Sequence, residues 1–79
     1  YPNPFNPSTS FNVYVPAEGT LNINAYNVMG QIVDVIHRGI IGEGSHQINW
    51  DASNVTSGVY FIRAESSYGA SIQKVMLLK

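Results

Sequence analysis

The sequence predicts an all-β fold, an antiparallel β-sandwich of six to seven short strands. Three observations carry that expectation. Apolar and polar residues alternate with period 2 along several segments. Turn-forming residues punctuate those segments at a spacing of about 8–12 residues, as in sandwiches. No stretch carries a 3.6-residue period, and there is no internal repeat.

The elements follow in order. Pro2, Pro4 and Pro7 hold φ near about −65° and push their predecessors toward extended backbone. Residues 1–7 are therefore expected to form a stiff, polyproline-like lead-in arm, ahead of a sandwich over residues 8–79. Phe5, with no strand register of its own, is expected to fold back and plug one end of the sandwich. Phe11, Val13 and Val15 alternate with Asn12 and Tyr14 in a half-buried first strand, which Pro16 stops. Residues 17–20 read as a turn around Gly19.

Leu21, Ile23 and Ala25 alternate with Asn22 and Asn24 in a second strand running into Tyr26. Asn27-Val28-Met29-Gly30-Gln31 is a hairpin candidate, because Gly30 tolerates positive φ. A third strand over residues 32–38 is expected to pack Val33 and Val35, with Ile32 and Ile36 on its reverse. Gly39, Gly42 and Gly44 then suggest a flexible connection. His46, Ile48 and Trp50 form a fourth strand ended by Asp51, and residues 52–58 a polar loop closing on Gly58. Residues 59–65 are β-prone through Val59, Tyr60, Phe61 and Ile62. Residues 66–70 turn the chain, and 71–78 make the final strand.

Seventy-nine residues form one domain, and at that size folding hides only about 60% of the unfolded surface. Without cysteine, stability rests on strand pairing and a thin apolar core. Four basic residues against five acidic ones leave a formal charge of −1. That balance offers no electrostatic footprint for nucleic acid or anionic lipid. Charged residues make up only 11%, so Asn, Ser and Gly carry much of the polar surface, which suits an extracellular bacterial module. The longest apolar run, over residues 75–78, is far short of a membrane span. Tyr1 in place of an initiator Met points to a chain cut from a longer one.

Catalytic constellations are weak. Ser57, His46 and Asp51 can be written as a triad, but no Gly-x-Ser-x-Gly supports them. His37 and His46 lack a Cys or carboxylate spaced to complete a metal site. Gly42-Glu43-Gly44 opens like a dinucleotide fingerprint, yet Gln47 stands where the third glycine belongs and no helix follows. Asp34, Glu43, Asp51 and Glu65 are too dispersed for one calcium loop. Trp50-Asp51 appears once, so it is not a propeller blade repeat, and Trp50 reads as a large core residue. Asn54-Val55-Thr56 fits a glycosylation sequon. Tyr14, Tyr26, Tyr60, Tyr68, Phe61 and Trp50 could form a sugar-stacking platform, although packing accounts for them better.

The two ends carry a resemblance. Tyr1-Pro2-Asn3-Pro4-Phe5-Asn6-Pro7-Ser8-Thr9 resembles the opening of the type A C-terminal sorting domain of the type IX secretion system. Tyr26-Asn27-Val28-Met29-Gly30-Gln31 is similar to that family's Tyr-Asn/Asp-x-x-Gly-Gln/Arg hairpin. Gly44-Ser45-His46-Gln47-Ile48-Asn49-Trp50-Asp51 is similar to its Gly-x-His-x-hydrophobic-x-Trp-Asp strand. Ser57-Gly58-Val59-Tyr60-Phe61 and the run from Lys74 to Lys79 resemble its closing motifs. Ala52 and Ala64 are small departures. The family in turn resembles the immunoglobulin-like domain of the flagellar hook-capping protein, so the expected sandwich is immunoglobulin-like.

The resemblance implies a signal rather than an enzyme, with no cofactor. Cargo N-terminal to such a domain is exported to the periplasm by a cleavable signal peptide. Outer-membrane type IX machinery then passes it to the cell surface or beyond, where a cysteine-protease sortase removes the domain in many members. The domain does not itself insert into the membrane. Pro2, Asn3, Pro4, Phe5, Pro7, Gly30, Trp50, Asp51, Gly58 and Tyr60 are the structural positions of the matched motifs, Gly58 for backbone geometry and Tyr60 for the core. Docking is expected on the last strand: with Val75 and Leu77 inward, Met76 and Leu78 face out, flanked by Lys74 and Lys79. At a sheet edge, that strand could also pair with a partner strand. The alternatives are a structural or carbohydrate-binding module and a self-assembling surface subunit, so self-association stays open.

Overall fold

The period-2 pattern becomes six strands in the computed structural model, which describes residues 8–78. The lead-in arm, with the expectations placed on Pro2, Asn3, Pro4, Phe5 and Pro7, lies outside the described residues, as does Lys79. The strands are β1 (Ser8–Val15), β2 (Gly19–Tyr26), β3 (Ile32–Ile41), β4 (Gly44–Asp51), β5 (Gly58–Ser66) and β6 (Gly69–Leu77). All pairings are antiparallel, in a four-stranded sheet ordered β3-β2-β5-β6 and a two-stranded sheet of β1 and β4. The two sheets form the expected β-sandwich.

The core lies between the sheets. Leu21, Ile23 and Ala25 from β2, Tyr60 and Ile62 from β5, and Val75 and Leu77 from β6 are buried on one face of the larger sheet. Val15 from β1 and Trp50 from β4 meet them from the smaller one. The Trp50 and Tyr60 rings join the layers edge to face, with centroids 5.9 Å apart and planes at 77°, a favoured aromatic geometry.

Three expectations are corrected. The glycine-rich connection does not begin at Gly39: β3 runs on to Ile41, because Gly39 pairs with Leu21 and the ladder continues through it. Residues 42–43 alone carry the chain from β3 in one sheet to β4 in the other, and His46 Nε2 donates to Gly42 O at 2.7 Å across that crossing. The turn expected over 66–70 shrinks to residues 67–68, since Ser66 pairs directly with Gly69. On β3, Val33 and Ile36 pack against the core while Ile32 and Val35 are exposed. Register shifts between Ile23 and Asn24, and between Ala25 and Tyr26, break the strict alternation there.

Candidate functional site

The residues expected to dock a partner fall on or just after β6, whose two faces differ in burial. Residues opposite one another across a ladder share a face. Val59 is opposite Met76, Phe61 opposite Lys74 and Arg63 opposite Ile72. Val75 and Leu77 point into the core. Met76 (39% exposed) and Leu78 (50%) are turned to solvent, and Lys74 is exposed beside them. Of the four residues expected to dock a partner, Lys74, Met76 and Leu78 thus form one exposed strip, and Lys79 is outside the described residues. Among the described residues β6 has a strand neighbour on one side only.

The outer face of the four-stranded sheet is built from cross-strand rows. One cross-strand row reads Ile32, Tyr26, Phe61, Lys74, with Val59 and Met76 beyond it. The opposite end carries Arg38, Asn22 and Glu65. Between them Arg63 Nη2 donates to Glu65 Oε2 at 2.9 Å, and both side chains are largely exposed, so the pair adds little stability. Exposed apolar side chains occur along the whole face, with Ile32 and Met76 toward the end where β6 finishes, Val35 and Ile72 midway, and Ile40 at the far end.

The motif residues are held by local bonds. Trp50 is buried in the core, and its Nε1 donates to Asp34 Oδ2 at 2.8 Å. Asp51 Oδ1 accepts from Ser53 N at 3.0 Å, fixing the chain as it leaves β4. Tyr60 is buried with its hydroxyl donating to Thr56 O at 2.7 Å. Gly58 opens β5 opposite Leu77. Gly30 has φ 81° and closes the β2–β3 turn through a bond from its N–H to Asn27 O at 3.0 Å. The Asn27 side chain adds three more bonds: Oδ1 accepts from Met29 N and Gln31 N, and Nδ2 donates to Gln31 Oε1.

Sequence reasoning placed Asp34 only among dispersed calcium candidates and missed it as the partner of Trp50. That bond joins the two sheets, and no local signal announces it. The turn was readable from Asn27 and Gly30, whereas the outward direction of Phe61 was not assigned from the sequence.

Little here suits catalysis. His46 donates to Gly42 O and Asp51 accepts from Ser53 N, so two residues of the paper triad hold their own loops. Among the described residues no three His, Cys, Asp or Glu side chains gather to hold a metal. A groove of about 320 Å³ between the β1–β2 turn and the β5–β6 hairpin is lined by Val15, Leu21, Ile41 and Ala64, among others, with no acidic, basic or imidazole group. The six aromatics weighed as a sugar platform divide: Trp50 and Tyr60 are in the core, Tyr26 and Phe61 on the outer sheet face, Tyr14 on β1 and Tyr68 in the β5–β6 turn. They form no single row.

Among known protein families, the one described as the secretion system C-terminal sorting domain matches residues 1–78. No curated protein and no solved structure matches the chain.

Proposed function

The chain belongs to the type IX secretion C-terminal sorting domain family, and we propose that the exposed strip of β6 is where the secretion machinery reads it. The domain is the signal that directs an N-terminal cargo protein to that machinery, for export to the cell surface or the extracellular space. Within that role the domain is substrate, not catalyst. Its cargo reaches the outer membrane by way of the periplasm, and a sortase is the partner that releases the cargo afterward.

The observation that carries the β6 reading is the alternation of its last residues. Val75 and Leu77 are locked in the core, so Met76 and Lys74 are presented on a paired strand, with exposed Leu78 directly after its end. An unstructured signal would lose about 1–2 kcal/mol of backbone entropy per residue on binding. A paired strand has surrendered that entropy on folding. Lys74 marks one end of the strip with positive charge, and Lys79 continues the sequence beyond it. Direct contact by Gly58 or Tyr60 is not part of this reading, since both serve the domain's own packing.

The test is a cargo carrying residues 1–79 with Met76→Ser and Leu78→Ser together. Surface-exposed cargo is expected to fall about tenfold or more, the effect of losing a central apolar anchor worth over 1 kcal/mol. Undiminished display of this variant would remove β6 from recognition.

A further inference from the structure

We propose that the docking surface extends across the outer sheet face to the β2–β3 turn, where Val28 and Met29 form a second apolar anchor for the same machinery. The inference rests on the reading of β6 as the docking strand. It adds a contact that neither the strand nor its lysines supply.

Three observations converge on this turn. The first is exposure: Val28 is 70% and Met29 78% exposed, side by side at the tip of a hairpin. Turn tips favour Gly, Pro, Asn, Asp and Ser for conformational reasons. Asn27 and Gly30 already meet the turn's demands through the bonded side chain and the positive φ. Nothing in the turn's geometry calls for two large apolar residues between them.

The second is rigidity. Asn27 N donates to Gln31 O and Gly30 N to Asn27 O, each at 3.0 Å. The Asn27 side chain bonds Met29 N, Gln31 N and Gln31 Oε1 at 2.9–3.0 Å. A loop this fully bonded gives up little freedom on binding, which raises the net return from any apolar contact it makes.

The third is continuity. The turn joins Tyr26 to Ile32, and these two begin the row that crosses Phe61 to Lys74 on β6. Met76 stands opposite Val59 just beyond that row. A row of mostly apolar side chains therefore runs from the strip on β6, over the aromatic pair, to the foot of the turn. Isolated exposed apolar residues need no explanation, but a contiguous set does.

Family membership supplies the occupant, the secretion machinery, and the patch defines the chemistry it must present. A matching receptor carries an apolar shelf spanning the sheet, with a carboxylate at one side to meet Lys74. Among the described residues Lys74 has no ion pair of its own.

The experiment uses cargo fused to residues 1–79 and compares Val28→Ser/Met29→Ser with Met76→Ser/Leu78→Ser and a control, Ile40→Ser. Ile40 is exposed on the same outer face, at the end away from the turn, opposite Thr20. Each purified domain is also melted, and a midpoint within about 2 °C of the parent is expected for these surface changes. The turn variant is expected to lower surface display about tenfold, as loss of a hot-spot anchor does, with the control within about twofold of the parent. If the turn variant melts early, Met29→Gln carries the comparison. Parental display by the turn variant, with the β6 variant blocked, would overturn this inference and leave the β6 reading standing. Parental display by both would overturn both. An equal loss in the control would refute a localised anchor.

Discussion

Trp50 shows how much one side chain settles in a domain this small. It fills the space between the sheets, meets the Tyr60 ring edge to face, and bonds Asp34 on β3 through its indole N–H. Trp50→Phe keeps much of the apolar volume but leaves the partly buried Asp34 carboxylate without its donor. The expected loss is about 1–3 kcal/mol, the cost of stranding such a group, read from urea unfolding midpoints. A second residue-scale test concerns the turn. Asn27→Ala removes the three side-chain bonds that fix Met29 and Gln31. A loss of about 1 kcal/mol is expected, and Asn27→Asp should recover most of it, since a carboxylate still accepts from both backbone N–H groups. The core role of Trp50 was legible in the sequence from its alternation with Gln47 and Asn49, and that of Tyr60 from the motif it belongs to. The Trp50–Asp34 bond was not, because it depends on how two strands of different sheets face each other.

At the scale of elements, the proposed docking role of β6 rests on alternation beside its packing role. Leu77 is wholly enclosed in the core, so Leu77→Ala should destabilise by about 2–5 kcal/mol through lost burial and a residual cavity. Leu78→Ser, one residue on, should change stability by less than about 0.5 kcal/mol and still lower cargo display. Chemical denaturation of the pair, beside a surface assay, separates packing from recognition. Most strands were readable from alternation and their ends from Pro16, Gly30 and Gly58. The faces of β3 were not. Two register shifts send Val33 and Ile36 inward and Val35 outward, and such bulges arise from pairing with β2 rather than from the β3 sequence. The pairing of β1 with β4 was equally hidden, because a strand's partner is chosen by the whole sandwich.

At the scale of the molecule, the sandwich would act as the frame that holds the proposed recognition surface in fixed register. Its inner faces are spent on a small core. On the outer face of the larger sheet a row from Ile32 through Tyr26 and Phe61 to Lys74, with Met76 beyond it, links the β2–β3 turn to the last strand. The motifs at the two ends of the sequence announced the family, whereas that row emerges only when β2, β3, β5 and β6 are set side by side. The measurement that tests the account most directly fuses residues 1–79 to the C-terminus of a periplasmically exported fluorescent protein. Surface accessibility is then compared between a host with an intact type IX system and the same host lacking its outer-membrane pore. The account predicts fluorescent protein on the surface only where the pore is present. Retention in the periplasm of both strains, with the domain folded, would contradict it.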